Sequence, residues 1–405
     1  MMLKFRMPAI ILALSCISFS TALNASTICR NALFLAFLFS LIDFLRTRLT
    51  LKKDNLFFLL ITTVFFAASF ILHGKIFKSA VNFAVDENYY YAALRILMGI
   101  VVFYYLSQQK ESLSRKELFF SKVLILFGFF YLSAQAVYIH SLQPHARLEI
   151  KTVSTTVAYI FAIQAFAAMY VVSTWKNKFS FLCNSLIFLL SFYIILLTET
   201  RSVIVTFPFI VLVFFIQSKM INLKTILCTV VVVAAVMLFN RAPFESALSR
   251  LTLTINEVKD YQNNNGNTSL GVRFSLWKAG AHAFVMHPMG QSADQRYDEV
   301  KHYIISQKYQ NADALRSIDF HMHNDFIDTL SLRGVWGGLL LALFFSSMAY
   351  TLIRNNENNE NLAGVTLLLV PNIIYGLTDT LFIDLRCATV LILGLPVYVL
   401  IKRKV

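Results

Sequence analysis

The chain has 405 residues, of which 57% are hydrophobic and only 14% are charged, and its mean hydropathy is +0.64. A soluble domain of this size carries about a quarter charged residues, so the composition excludes an ordinary soluble enzyme. The formal net charge of +14 would suggest nucleic acid binding in a soluble protein, but in a membrane protein it fits an excess of Lys and Arg in cytoplasmic loops.

Apolar segments of about 20 residues recur along most of the chain, and each can cross a hydrocarbon core of roughly 30 Å as a helix. We therefore predict an all-α polytopic membrane protein. The first segment resembles a signal peptide, but a second apolar run follows at once, so we expect it to be retained as a membrane helix. The twelve predicted spans are residues 7–23, 31–46, 56–73, 91–108, 119–139, 153–173, 179–197, 202–216, 223–240, 334–353, 361–378 and 386–401.

The distribution of charge between alternate loops predicts the orientation. With both termini in the cytoplasm, the inside segments hold 18 basic and six acidic residues, whereas the outside holds 18 basic and 16 acidic residues. The inside then carries a charge of +12 and the outside +2, as the positive-inside rule requires. The opposite orientation would leave this asymmetry unexplained.

One polar segment, residues 241–333, interrupts the series of spans and lies on the outer side in this topology. It divides the chain into helices one to nine (1–240), an outer loop (241–333) and helices ten to twelve (334–405). Within the loop, apolar spacing and turn residues predict helices that begin near Pro243, Leu270, Asp294 and Asn324, the last one ending at Gly334. The loop is too short for a core of its own, so we expect its helices to pack over the bundle.

Arg201 follows Thr198-Glu199-Thr200 between two apolar spans, which holds it close to membrane depth. A guanidinium there is costly unless it is paired. Two interpretations remain: a pair with Glu199 that braces two helices, or a phosphate ligand, which suits the planar donors of Arg. Arg273 begins a predicted helix, where free N–H groups also favour an anion, although an exposed surface Arg would look the same.

His321 and His323 precede the predicted helix at Asn324. One imidazole could act as a general base near neutral pH, could cap the helix, or could bind a metal together with Asp325 or Asp328. The metal is the least favoured of the three, because two histidines two residues apart in a loop often bind nothing. We predict no metal and no cofactor.

Asp379 and Arg386 flank the last outer turn, and Arg147 lies in another short outer loop. An Asp379–Arg386 tether or a role in positioning substrate would each explain the first pair. Together, these cations and one titratable base on a single face suit a substrate with a lipid tail and a diphosphate head.

Three sequence motifs resemble the O-antigen ligase and polymerase superfamily, and the whole-chain pattern looks closest to the enterobacterial ligases. The motifs are Thr198-Glu199-Thr200-Arg201-Ser202, Ser269-Leu270-Gly271-Val272-Arg273, and His323-Asn324-Asp325-Phe326-Ile327-Asp328 with Leu332-Arg333-Gly334-Val335-Trp336-Gly337.

This resemblance implies a GT-C-like glycosyltransferase of the bacterial inner membrane, independent of metal and inverting. Its substrates would be O-antigen on undecaprenyl diphosphate and a sugar of the lipid A–core, in the periplasmic leaflet. His323 would be the base, Arg201 and Arg273 would bind the diphosphate, and Arg147, Asp379 and Arg386 are weaker candidates for positioning substrate. His321 has no assigned role.

Two alternatives remain. A polymerase would use a second lipid-linked glycan as acceptor. A transporter of lipid-linked sugars would place its charges along a path at the membrane midplane, which the clustering at one face argues against.

Overall fold

The computed structural model describes residues 6–47, 55–80, 83–175, 179–219, 242–263, 265–307, 311–354 and 362–401, and this part of the chain is helical with no strand. The helices of its first half are α1 (Met7–Thr21), α2 (Ser26–Thr47), α3 (Asn55–Ile76), α4 (Ala84–Gln108), α5 (Arg115–Leu142), α6 (Ser154–Ser173), α7 (Ser180–Thr198) and α8 (Arg201–Gln217). Those of the second half are α9 (Ala242–Gln262), α10 (Ser269–Met286), α11 (Ala293–Ser306), α12 (Ala312–Ser317), α13 (Asp325–Arg354), α14 (Val370–Thr378, preceded by a π-helical turn at Val365–Leu369) and α15 (Leu385–Leu400).

Eleven of the twelve predicted spans coincide with apolar helices, and the remaining one, 223–240, lies outside the described residues. Seven of these helices are long and apolar enough to cross a membrane, and four are shorter. The expected all-α polytopic membrane architecture is therefore confirmed. In α6, 89% of the apolar stretch is buried, the largest share among the seven long apolar helices.

Alternate connections lie at opposite ends of the bundle. Arg6 binds the Ser112 carbonyl at one end, where Lys122 also donates to Thr174. At the other end, which we call the site end, hydrogen bonds or a shared cleft join the connections 77–80, 143–153, 199–200 and 379–384 to the segment 242–324. The predicted outer loops therefore gather on one face of the protein.

Helices α10 to α12 have a small apolar cluster of their own, so the prediction that this segment lacks a core is wrong. Its buried side chains are Leu276, Ala279, Ala283, Val300, Ile304, Ala314, Ile318 and Met322. The short helix α12 contributes Ala314 and the partly buried Leu315 to this cluster, and it was not predicted because six residues are too few to show a periodic pattern. Met322 belongs to this cluster and also separates the two candidate histidines.

The last predicted helix of the loop does not end at Gly334. It continues as α13 to Arg354, and Gly334 is the site of a kink, with φ +65° and ψ −160°. A Cβ at this position would collide with the Pro288 carbonyl and lie 2.5 Å from the Gly290 nitrogen. Glycine is therefore required where the turn at 287–290 crosses the helix, and this turn fixes the direction in which α13 leaves the site end.

Candidate functional site

A cleft of about 840 Å³ opens at the site end between the start of α6, the turn after α14 and the segment before α13. One of its walls is lined by Thr152, Val153, Thr155 and Thr156. The predicted site residues that line it are His321, His323, Asp379 and Arg386.

The centre of the cleft is a hydrogen bond between His323 and Asp379, whose Nδ1 and Oδ1 atoms lie 3.0 Å apart. A carboxylate only accepts, so this geometry places a proton on Nδ1 and leaves Nε2 as the acceptor of the neutral ring. None of the described residues hydrogen-bonds His323 Nε2. The ring is therefore oriented as a base, with its free nitrogen available to a ligand in the cleft.

The neighbours of His323 hold its main chain in an uncommon conformation, with φ +48°. Its N–H donates to His321 Nδ1 at 3.1 Å, and its carbonyl accepts from Trp277 Nε1 at 3.1 Å. The helix is capped by the next residue, Asn324, whose side chain accepts from Phe326 and Ile327 N–H groups. The interpretation of His323 as a cap is thus wrong, and its imidazole is free to face Asp379.

His321 supports the site as a neutral ring. Burial, together with the nearby His323, lowers its pKa to about 4. Its Nδ1 also lies 3.9 Å from Asp379, but this atom already accepts the His323 N–H, so the contact is not an ion pair. His321, which had no assigned role in the sequence analysis, therefore has a structural one: it fixes the backbone of His323.

Asp379 is ionised in this setting, because its hydrogen bond and a nearby cation outweigh its burial. Burial raises the pKa of the carboxyl, but the hydrogen bond from His323 and the charge of Arg273 help to bring it well below its usual range. Arg273 is thereby located close to the His323–Asp379 pair. Among the described residues, Arg273 has no ion-pair partner, so its charge is available to a ligand.

Arg201 is paired, but with a different carboxylate than predicted. Both of its terminal nitrogens contact Glu257 on α9, at 2.7 and 3.0 Å. Glu199, the partner suggested by the sequence, instead accepts from Ser246 and Arg250. A Glu–Arg pair therefore does exist at this junction, but it joins α8 to the polar segment rather than bracing α7 against α8.

Arg386 and Arg147 are also engaged within the protein. Arg386 makes a bidentate pair with Asp384, at 3.0 and 2.7 Å, and further bonds to Lys151 and Thr152, so the predicted tether to Asp379 is wrong. Arg147 donates twice to the Thr198 carbonyl, at 3.1 and 3.0 Å. Both arginines join connections at the site end, and only Arg386 lines the cleft.

The metal site considered from the sequence does not form with Asp325 or Asp328. Asp328 is fully buried and accepts from Arg296, from Tyr89 and from the Met322 N–H, while Asp325 accepts from the Phe382 N–H. A different group, His321, His323 and Asp379, has potential ligand atoms within 4.8 Å of one another. In the structure these atoms already form hydrogen bonds within the protein: His321 Nδ1 accepts the His323 N–H, and Asp379 accepts from the His323 ring.

The sequence did not single out Glu257, Trp277 or Arg296. Each contacts the site from the polar segment, through Arg201, His323 and Asp328 respectively. Arg296 is 2% exposed, yet in the sequence it lies on a helix of polar character, as expected for a surface residue. Only the three-dimensional arrangement reveals these partners, because the contacts span 32 to 56 residues.

Comparison with known proteins gives two kinds of match. A family model described as O-antigen ligase matches residues 186–342, which include Arg201, Arg273 and His323. The O-antigen ligase of Escherichia coli K12 is 24% identical over 298 residues, which cover 72% of this chain and 67% of that protein. An uncharacterized protein of Haemophilus influenzae is 25% identical over 154 residues, 37% of this chain and 38% of its own length. These matches support an O-antigen ligase relationship for this chain, and its apolar helices are those of a multi-pass membrane protein.

Proposed function

We propose that the protein transfers O-antigen polysaccharide from undecaprenyl diphosphate to a sugar hydroxyl of the lipid A–core, with His323 as the general base. The observation that carries this proposal is the contact of His323 Nδ1 with Asp379 in a cleft at the site end. This contact leaves Nε2 for the hydroxyl of an acceptor. General-base catalysis by a positioned imidazole typically contributes about 10²- to 10⁴-fold in rate.

The reaction is a single displacement. His323 Nε2 removes the proton of the acceptor hydroxyl as its oxygen forms a bond to the anomeric carbon of the glycan. The bond from this carbon to the diphosphate oxygen breaks, and undecaprenyl diphosphate leaves with the electron pair. Attack from the face opposite the leaving group inverts the anomeric carbon. Asp379 stabilises the imidazolium that forms, since its carboxylate accepts from Nδ1.

The diphosphate would bind next to this base, at Arg273 and Arg201. Arg273 is close enough to Asp379 to lower the pKa of its carboxyl, and it begins the second turn of α10. Arg201 contacts Glu257, which in turn accepts the Leu270 N–H at the start of the same helix. Cations placed in this way neutralise the charge that develops on a leaving diphosphate, so the reaction needs no metal in this proposal.

The site end would face the periplasm, with the termini in the cytoplasm and the chain in the inner membrane. The charge asymmetry of the loops supports this orientation. A lipid-linked donor suits this side, where nucleotide sugars and ATP are lacking. A GT-C-like arrangement, with an outer helical segment over a membrane bundle, completes the proposal.

The proposal is tested by reconstituting the purified protein with lipid-linked O-antigen and lipid A–core, with a chelator present. The His323→Ala variant should lose at least about 10²-fold in transfer rate while its insertion and melting temperature stay close to those of the parent. His302, an exposed histidine on α11, provides the matched control, since His302→Ala should transfer normally. Normal transfer by His323→Ala would refute the assignment, and loss of the parent's activity with chelator would refute metal independence.

A deletion strain separates the ligase from the related polymerase. Loss of a ligase leaves bare core on lipopolysaccharide gels while the lipid-linked polymer persists. Loss of a polymerase instead leaves core that carries a single repeat. The proposal requires the first pattern.

A further inference from the structure

Glu257 occupies a position at which a phosphate would be expected. One of its carboxylate oxygens lies 2.7 Å from Arg201 Nη2, and the other lies 3.0 Å from Arg201 Nη1. The second oxygen also accepts the Leu270 N–H at 3.1 Å, near the start of α10. An internal carboxylate therefore uses both donors of an arginine fork and a backbone donor of a helix N-terminus at the same time.

The same donors suit phosphate oxygens equally well. A guanidinium binds a phosphate through two parallel hydrogen bonds, as it binds a carboxylate, and free N–H groups in the first turn of a helix favour an anion. Arg273 lies one turn further along α10 from Leu270, on the same side of the helix. A diphosphate that contacts Arg273 thus has its next donors at Arg201 and Leu270, and Glu257 already binds both of them.

We propose that Glu257 is an internal substitute for the donor diphosphate, which it replaces at Arg201 and Leu270 until the donor binds and displaces it. This inference rests on the proposed function. It explains why an arginine close to membrane depth stays paired in the absence of substrate, where an unpaired guanidinium would be costly. The Glu257 carboxylate also competes with the product, because its return to Arg201 and Leu270 promotes release of undecaprenyl diphosphate.

The displaced carboxylate stays near a second cation. The hydrogen bonds from Arg201 are the main reason why the pKa of Glu257 is lowered, and the charge of Arg250, which itself pairs with Glu199, adds to the effect. The charge of Arg250 therefore continues to favour the ionised carboxylate when Arg201 binds the diphosphate.

The test is the binding of inorganic pyrophosphate to the purified full chain in metal-free buffer, measured by calorimetry. Glu257→Gln keeps the size of the side chain and its hydrogen bond to Leu270 but removes the competing charge, so pyrophosphate should bind about tenfold tighter. Glu257→Asp keeps the charge on a side chain one methylene shorter, so binding should tighten less. Glu245→Gln removes an exposed carboxylate from the same helix and should leave binding unchanged.

Equal or weaker binding by Glu257→Gln, in a protein that melts like the parent, would show that Glu257 is only a brace between α8, α9 and α10. If Glu257→Gln melts early, unchanged binding by Glu257→Asp leads to the same conclusion. Arg201→Ala and Arg273→Ala, made in the Glu257→Gln background, separate this result from the proposed function. If the arginine substitutions weaken pyrophosphate binding but Glu257→Gln does not tighten it, only the present inference fails. If neither arginine substitution changes pyrophosphate binding, the proposed diphosphate site at these arginines is refuted as well.

Discussion

The imidazole of His323 can act as a base only if its proton and its orientation are fixed, and groups distant in sequence fix both. Asp379, 56 residues away, holds the Nδ1 proton, and the indole of Trp277 holds the main-chain carbonyl. The left-handed backbone of His323 places its ring over this carboxylate rather than over the helix that follows. Strain of this kind persists only where the surroundings enforce it, and it is common at functional sites.

Replacement of Asp379 by Asn should reduce the transfer rate by about 10²- to 10⁴-fold, because the amide can donate to Nδ1 and so favour the tautomer whose Nε2 carries a proton. Steady-state rates with saturating donor provide the measurement. The control is the double variant with His323→Ala, which should be no slower than His323→Ala alone. If the rate losses of the two single variants instead multiply in the double variant, Asp379 acts through a group other than His323.

The neutral state of His321 makes the stability of the protein depend on pH. Its pKa falls from an ordinary value of 6.5 to about 4 in the folded protein, so between these values the unfolded chain binds more protons. Stability therefore rises with pH across this window and is lost as the pH falls from about 6.5 towards 4. The melting temperature of the parent should thus drop between pH 7 and pH 5.

In His321→Asn this drop should be smaller, since the Asn side-chain oxygen can still accept the His323 N–H but does not titrate. His302→Asn, at an exposed position of α11, is the matched control and should keep the parental pH dependence. The same drop in His321→Asn as in the parent would contradict the assignment of His321 as the titrating group.

At the scale of elements, a buried ion pair and its hydrogen bonds connect three helices next to the loop that carries His321 and His323. Arg296 of α11 and Asp328 of α13 are 2% and 0% exposed, and their atoms lie 2.8 Å apart. The same carboxylate accepts from Tyr89 of α4 and from the N–H of Met322, between the two histidines. The network therefore links α4, one of the membrane helices, to the loop between the two histidines.

Removal of one partner should be costly, because it leaves the other charge buried alone. We expect Arg296→Leu to lose about 3–5 kcal/mol of stability. Arg316→Leu is the control, since Arg316 is 80% exposed and pairs with Asp313 only at the surface, which is worth about 0–1 kcal/mol. Thermal melting of the two variants in the same detergent measures the difference, and equal losses would show that the buried pair has no special role.

The helices of the membrane part could be predicted from sequence because their signal is local. A run of apolar residues bounded by basic or turn residues determines each span, and the observed ends of α6 and α8 differ from the prediction by at most one residue. Asn324, a favoured residue at helix starts, likewise indicated where α13 begins. The continuation of this helix through Gly334 was missed, because glycine normally marks the end of a helix and here it permits a crossing.

The site residues could be predicted in type but not in pairing. A polar residue between apolar spans stands out in a sequence, which is why Arg201 and Asp379 were candidates. Arg201 pairs with Glu257 rather than with the expected Glu199, and Arg386 pairs with Asp384 rather than with the expected Asp379. The partner of Arg201 lies 56 residues away, so it depends on which segments meet in the folded chain.

At the scale of the whole molecule, the charge asymmetry and the position of the cleft make a joint prediction about topology. Asp319, exposed beside the cleft, should face the periplasm, and Lys116, exposed at the opposite end near the start of α5, should face the cytoplasm. The Asp319→Cys variant should therefore react with a membrane-impermeant maleimide in intact cells, whereas Lys116→Cys should react only after lysis. The parental chain controls for its own cysteines, of which Cys16, Cys29 and Cys387 are buried. The reverse labelling pattern would place the cleft in the cytoplasm, where a lipid A–core acceptor in the periplasmic leaflet could not reach His323, and the proposed reaction would then be impossible.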